Sequence, residues 1–464
     1  MEFELVVRGG TLLSACDKQA ADIGIRDGKI EAIGQGLIGD KMVDASGLYV
    51  LPGGVDPHVH LQMPAGETTS SDDFGSGTIA AVMGGTTTII DFVEPEAGES
   101  LKNAFEKRKA AAAGKAVIDY GFHMTLSSTR DDWMAEIPWM ISTGVPSFKM
   151  YTTYDGMRLN DEEMLYAMQR VAAAGGLVLV HCENDAIVKA STQAQQSQGI
   201  LSPAAHPLAR PAQAEIEAVT RVLALADCAN VPVYIVHIST AGGAGALRSA
   251  LERGVQAWGE TCPQYLLLTE ELYFSHGFEG AKFVCSPPLR AQKDMRKLWW
   301  ALDDNVVQSI GTDHCPFNYV GQKDLGREDF TRIPGGLPGI ESRLSLIYSY
   351  GVRAGKMGLR QWVNTCCTQP AKIMGLYPRK GTLMPGADAD IVVFDPKMKV
   401  RLSAEFLHER VDYSPYEGLE LTGWPKLVFS RGECVVREGI FSGESGRGLF
   451  LPRKLGNQSG VWKN

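Results

Sequence analysis

Eight apolar, strand-like runs alternate with helical segments through the middle of this chain, at residues 55–60, 86–91, 117–122, 146–151, 177–181, 233–238, 255–260 and 306–312. The stretches between them, such as SLKNAFEKRKAAAAG, DEEMLYAMQRVAAAGG and AEIEAVTRVLALADCA, carry helical periodicity. Eight strands alternating with helices is the tally of a closed (β/α)8 TIM barrel. Strands of such a barrel are buried on both faces, which explains runs like TTTIID and GGLVLV with no polar alternation. An open doubly wound sheet would place a glycine-rich phosphate-binding turn after its first strand. Here Gly54 and Gly84-Gly85 precede strands, and GGAGALRS after the sixth run, an incomplete form of that turn, reads as the start of a helix.

Both ends of the chain have a different texture. FELVVRGGTLLS, ADIGIRDGKIEAIG, ADADIVVFDPKMKV and WPKLVFSRGECVVREGIF are short β pieces with turns, and Asp27-Gly28 and Gly9-Gly10 suit tight hairpins. The 464 residues are too many for one ordinary core. The expected organisation is a small β domain built from 1–52 and 378–440, a barrel over 53–377, and a C-terminal tail over 441–464. The net charge of −9 and the lack of a Lys/Arg-rich run argue against a nucleic-acid surface. The acids at positions 2 and 4 do not suit a signal peptide, and no stretch approaches a membrane span. Nine cysteines, an odd number without CxxC spacing, point to buried thiols in a reducing compartment, and the cytoplasm is the expected location.

Five of the eight runs end in residues able to bind a metal. VDPHVH supplies His58 and His60, SFKMY supplies Lys149, LVLVHCEN supplies His181, VYIVHIS supplies His237 and SIGTDHCP supplies Asp313. Residues two apart on a strand share a face, so His58 and His60 can aim at one ion. The C-terminal strand ends are the active face of a TIM barrel. Four histidines and an aspartate exceed the three protein ligands of one catalytic zinc, but suit two ions with a shared bridging ligand. The ammonium of Lys149 would repel such ions. A neutral lysine amine, however, can add CO2 and lose a proton to give a carbamate with two anionic oxygens.

As a set, GGVDPHVHLQMP, SSDDF, GGTTTIIDF, SFKMYTTYDG, VHCEN, VHIST, ETCPQYLLL, CSPPLR, GTDHCPF and GLPGIESR resemble the hydantoinase/dihydropyrimidinase branch of the amidohydrolase superfamily. The resemblance spans nearly the whole chain, including KGTLMPGADADIVVFDP. It implies a metal-binding TIM barrel with a β-sandwich domain and hydrolysis of a cyclic amide to an N-carbamoyl amino acid. It also implies two divalent ions, zinc being the expected one, and a homotetramer. One ion would be held by His58, His60 and Asp313 and the other by His181 and His237, with carboxylated Lys149 bridging both. Asp313 would also carry the proton, Tyr154 would donate to the oxyanion, and Ser286 and Gly335 would hold the ring through main-chain groups. The chain departs from the pattern in PGGLPG, where Gly335 stands for the usual Asn, and in LQMPAGETTSSDDF, where Ala65 leaves room for bulkier substituents.

Two other functions compete on this scaffold. One is dihydroorotase or allantoinase chemistry; a dihydroorotase HxHxR motif offers an arginine to the substrate carboxylate, and this chain has Gln62 there. The other is a nonenzymatic interaction protein, disfavoured by the complete ligand set. Cys182, Glu183, His314 and Cys315 are expected to support ligands or pack, His123 to fill the barrel, and His206 to lie in a loop.

Overall fold

The computed structural model describes residues 3–456; Glu2, one of the acids noted at the start, and residues 457–464 of the expected tail lie outside them. Eight parallel strands form the barrel: β1 (Gly54–Val59), β2 (Thr86–Val93), β3 (Asp119–Thr125), β4 (Ser147–Tyr151), β5 (Leu177–His181), β6 (Val233–Ile235), β7 (Ala257–Thr261) and β8 (Ser309–Ile310). Each pairs with the next, and a parallel bridge from Val59 to His314 closes the ring between β1 and the chain just after β8. All eight strand positions anticipated from the apolar runs are occupied. Two strands stop at least two residues before their runs end, at Ile235 and Ile310; just beyond them His237 has φ 39° and Asp313 φ 52°, left-handed conformations that cannot continue a ladder.

The outer helices bury one stripe each. Helix Asp161–Ala174 buries Met164, Ala167, Met168 and Val171, the i, i+3, i+4, i+7 face its sequence dictates. Asn160 and Glu163 close its N-terminus as a capping box, and Gly175 ends it in the left-handed region at φ 78°. GGAGALRS lies in helix Ala241–Glu252, whose N-cap Thr240 accepts from the Gly243 N–H.

The chain-end strands form a separate nine-stranded sheet. Its N- and C-terminal parts meet where Tyr49–Pro52 pairs antiparallel with Ile391–Arg401. Asp27-Gly28 makes the expected two-residue hairpin, with Arg26 opposite Lys29 and both turn residues at positive φ. Gly9-Gly10 does not form a hairpin. It lies inside strand Phe3–Leu13, where the register against Lys18–Arg26 shifts between Val7 and Gly10, a β-bulge. Gly9 has φ 70°, and a Cβ on Gly10 would stand 2.5 Å from Val50 Cγ2, so glycines are needed for the kink rather than a turn. Beyond the kink the strand exchanges Gly39–Asp44 for Tyr49–Pro52 as its parallel partner. The small domain has its own core, including Val7, Ile23, Ile25, Val50, Ile391 and Phe429.

The segment around residue 450 packs on the end of the barrel opposite the candidate ligands. Leu451 N–H donates to Tyr120 O, and the buried Arg453 donates to Phe122 O, to Ser147 Oγ at 2.7 Å and to Met374 O at 3.2 Å.

Candidate metal centre

His58, His60, Lys149, His181, His237 and Asp313 all line one cavity of about 670 Å³ at the C-terminal ends of the strands. That volume suits a small-molecule site. Tyr154, Ser286 and Gly335 line it as well, so every residue expected to hold metal, move the proton or hold the ring lies around one cavity.

His58, His60 and Asp313 form the tightest group. Asp313 Oδ1 lies 3.2 Å from His58 Nε2 and 3.3 Å from His60 Nε2. On its other side the His58 ring reaches Glu260 Oε1 at 2.6 Å through Nδ1. Glu260 also accepts from the His237 backbone N–H at 3.1 Å and the Tyr234 hydroxyl at 2.8 Å. It is therefore an acceptor for three donors, and the proton of His58 belongs on Nδ1. The lone pair of Nε2 then faces the Asp313 carboxylate, and this buried nitrogen has no hydrogen-bond partner among the described residues. A lone pair directed at a carboxylate is unfavourable unless a cation stands between them. The donor set fits a divalent ion, and a histidine–carboxylate pair behind the ligand is the usual support for one.

The second pair repeats the pattern. His181 Nδ1 and His237 Nε2 converge at 2.9 Å, while His181 Nε2 is taken by Glu183 Oε2 at 2.9 Å. Burial lowers the pKa of His58, His181 and His237, keeping the rings neutral and able to donate lone pairs. Burial alone would raise the Asp313 carboxyl, but His58, His60 and Lys149 hold it below its ordinary range. The His58 and His237 ring centroids are 5.5 Å apart, so the two groups form one site.

Lys149 is buried, with Nζ 5.1 Å from the ring centres of both Phe92 and Tyr151. Burial pushes its pKa down to about 8. Among the described residues no carboxylate lies within ion-pairing distance of it.

Tyr154 lines the cavity beside His181, their ring centroids 5.1 Å apart, at φ 77°, a left-handed conformation that is a true outlier for an aromatic residue. Burial pushes its hydroxyl up to about 12, so it is an O–H donor at neutral pH, with Ser286 and Arg210 within hydrogen-bonding reach. A Cβ on Gly335 would stand 3.3 Å from Ser286 Oγ, placing these two residues side by side.

Several residues with a part in this site carried no expectation. Glu260 ends the seventh run inside ETCPQY; asking which carboxylate could fix a ligand histidine would have drawn attention to it. Arg210 packs over the Tyr154 ring, 5.1 Å from its centre, and donates to Glu183. It thus joins the tyrosine to the carboxylate behind His181. Glu183 stands behind the candidate ligand His181, taking its Nε2. His123 fills the barrel, as expected, between Ser147 Oγ at 2.7 Å and Pro57 O at 2.9 Å. His206 is not in a loop. It lies on a short helix, Ala205–Ala209, buried against the cavity, with Nε2 2.8 Å from Cys285 O. Pro207 suits the first turn of that helix, which explains how AAHPLARP, read as a loop, starts one.

Gln62 is absent from the cavity lining, which passes from His60 to Met63. The two arginines that do line it, Arg210 and Arg332, are paired with Glu183 and Glu67. Among the described residues no helix is long and apolar enough to cross a membrane.

Residues 49–435 match the amidohydrolase family. The D-hydantoinase of Geobacillus stearothermophilus is 45% identical over 452 residues, covering 97% of this chain and 96% of that protein. The D-hydantoinase of Streptomyces coelicolor is 43% identical over 461 residues, 98% of each. Among solved structures, the dihydropyrimidinase from Brevibacillus agri superposes with a TM-score of 0.95 at 43% identity, covering 97% of this chain and 98% of that one.

Proposed function

The chain belongs to the amidohydrolase family, and from that premise we propose that it is a metal-dependent hydrolase of cyclic ureides, opening a 5-substituted hydantoin or a dihydropyrimidine to an N-carbamoyl amino acid. The observation that carries this reading is the His58–Asp313 contact. Glu260 pins the imidazole so that Nε2 and a carboxylate oxygen aim at one point, and His60 joins them.

In this reading His58, His60 and Asp313 would hold one divalent ion and His181 and His237 the other. Lys149, as a carbamate, would supply their shared anionic ligand, and zinc is the ion we expect. A desolvated amine whose pKa burial lowers to about 8, with no carboxylate within ion-pairing distance among the described residues, supports carbamate formation, in which nitrogen bonds to CO2 and a proton leaves. When bound, the ions supply an acidified nucleophile and polarise the ring carbonyl. Asp313 takes the proton of the attacking water and delivers it to the ring nitrogen as the C–N bond breaks, because an amide anion leaves poorly. The Tyr154 hydroxyl donates to the developing oxyanion. Main-chain groups of Ser286 and Gly335 hold the ureide, and the turn carrying Ala65 receives the C5 substituent.

The paired state of Arg210 and Arg332 supports an uncharged ring over dihydroorotate. Nine free cysteines suit the reducing cytoplasm as its compartment. A homotetramer is the assembly the resemblance implies, and light scattering tests it. The deciding experiment is hydrolysis of hydantoin, dihydrouracil, D- and L-phenylhydantoin, allantoin and dihydroorotate, before and after chelation. The expected result is metal-dependent opening of the first four substrates. Efficient metal-dependent hydrolysis of dihydroorotate, or none of any ring, would overturn the reading.

A further inference from the structure

Lys323 is fully buried, and its Nζ donates to three main-chain carbonyls: Val284 O at 2.7 Å, Gly336 O at 2.8 Å and Pro334 O at 2.9 Å. An ammonium has three N–H donors, and all three are spent on backbone. Among the described residues no carboxylate lies within ion-pairing distance of it. Burying an ammonium without a counter-ion is costly, so the fold must gain something from where those carbonyls are held.

Their positions show what is gained. Val284 lies two residues before Ser286, and Pro334 and Gly336 flank Gly335. The two segments also touch directly, Gly336 N–H donating to Val284 O at 3.0 Å. The neighbouring Gln322 secures a different wall: its Nε2 donates to Thr68 Oγ1 at 2.7 Å and Thr69 O at 2.8 Å, behind the turn that carries Ala65. Gln322 is itself fixed, its Oε1 accepting from Asn318 N–H at 2.7 Å. One short stretch of chain thus braces both the edge assigned to the ureide ring and the wall assigned to the C5 substituent.

We infer that Lys323 is a positioning residue that sets the spacing between the main-chain groups of residues 286 and 335, and so the enzyme's grip on the ring, without touching substrate or metal ligands. The inference rests on the cyclic-ureide reading above. Its consequence is specific. Because the ureide segment of the ring is common to all substrates, loss of Lys323 weakens binding of all of them alike, whereas loss of Gln322 weakens only those with a bulky C5 group.

The test uses the metal-loaded, full-length enzyme and its Lys323→Met and Gln322→Ala variants, with hydantoin, dihydrouracil and 5-phenylhydantoin as substrates. Metal content and thermal unfolding are measured alongside kcat and KM. For Lys323→Met the expected result is a KM raised about tenfold or more for all three, kcat within about threefold, and unchanged metal content. Gln322→Ala is expected to raise KM for phenylhydantoin alone. An unchanged KM in Lys323→Met, or a parallel loss of metal and kcat, overturns the inference. If that variant does not fold, Lys323→Gln, which keeps two N–H donors, carries the same readout. Failure of both to fold makes the lysine a core element and overturns it too. A wild-type enzyme inactive on all three substrates would overturn the underlying cyclic-ureide reading instead.

Discussion

Glu260 Oε1 lies 2.6 Å from His58 Nδ1 and 3.1 Å from the backbone nitrogen of His237, so one buried carboxylate fixes a residue in each of the two ligand groups. Burial raises its pKa to about 7, while the donors around it favour the charged form. Glu260→Gln can present an N–H to His58 Nδ1 and so reverse the tautomer that leaves Nε2 free. Metal affinity or activity is expected to fall by about 10- to 100-fold, the usual cost of removing such a partner. Titration with zinc monitored by activity and by bound metal checks this; full occupancy at wild-type affinity with normal turnover would disprove it.

Asp313→Asn is expected to lower turnover by about 10²–10⁴ while changing KM much less, since proton transfer is the carboxylate's contribution to the transition state. Asp313 also contacts His58 and His60, so metal content must be determined on the same sample. Near-normal turnover with full metal would remove Asp313 from the proton-transfer role.

The barrel was legible because its strands are buried on both faces, leaving uninterrupted apolar runs at βα spacing. The six candidate ligands, which line one cavity, could be picked out because chemistry-bearing side chains recur at the ends of those runs, and the family resemblance put Tyr154, Ser286 and Gly335 beside them. Glu260, Arg210 and Lys323 were not legible in the same way. Each works through contacts between residues far apart in sequence: Glu260 with His58, Arg210 with Glu183, and Lys323 with Val284 and Gly336. No local period records such a pairing. Gly9-Gly10 misled for a related reason, since a positive-φ glycine serves a bulge as well as a turn and only the partner strand distinguishes them.

Acid should weaken the fold partly through Glu183. Burial alone would raise its pKa, but Arg210 and His181 hold it at about 2, below the ordinary 4.5. A depressed carboxylate contributes stability that is complete above its unfolded pKa and lost as pH falls through the folded one. Glu183→Gln should therefore be less stable than wild type at neutral pH, with the difference shrinking between about pH 4.5 and 2. Thermal unfolding of both proteins across that range is the check; a gap that does not narrow would show that the charge on Glu183 is not what stabilises.

Lys380 joins the two domains. Its Nζ lies 2.7 Å from Asp119 Oδ2 at the start of β3, 2.8 Å from Asp390 Oδ2 and 3.0 Å from Asp388 Oδ2, and these three acids hold its pKa above the ordinary range despite burial. Lys380→Met leaves buried carboxylates without their shared cation and should cost about 3–5 kcal/mol. Denaturant unfolding measures it. A loss below about 1 kcal/mol would mean that Arg431, which also donates to Asp119, and Arg379, which donates to Asp388, suffice.

Lys149→Ala should lose both metal and activity, yet recover part of each when acetate or propionate is added. Truncation opens a gap where the carbamate would stand, and a small carboxylate can enter it and supply two anionic oxygens to the same place. Restoration should saturate with carboxylate concentration, and formamide, of similar size but uncharged, should not reproduce it. A purely structural lysine predicts something else, a less stable protein that no small anion repairs. Its surroundings already weaken that alternative, because Nζ faces two aromatic rings and no acid within pairing distance among the described residues. Metal content and hydantoin hydrolysis of the variant, with and without carboxylate, decide between them. Two bound ions and a near-normal rate with nothing added would mean that the bridging anion comes from another residue.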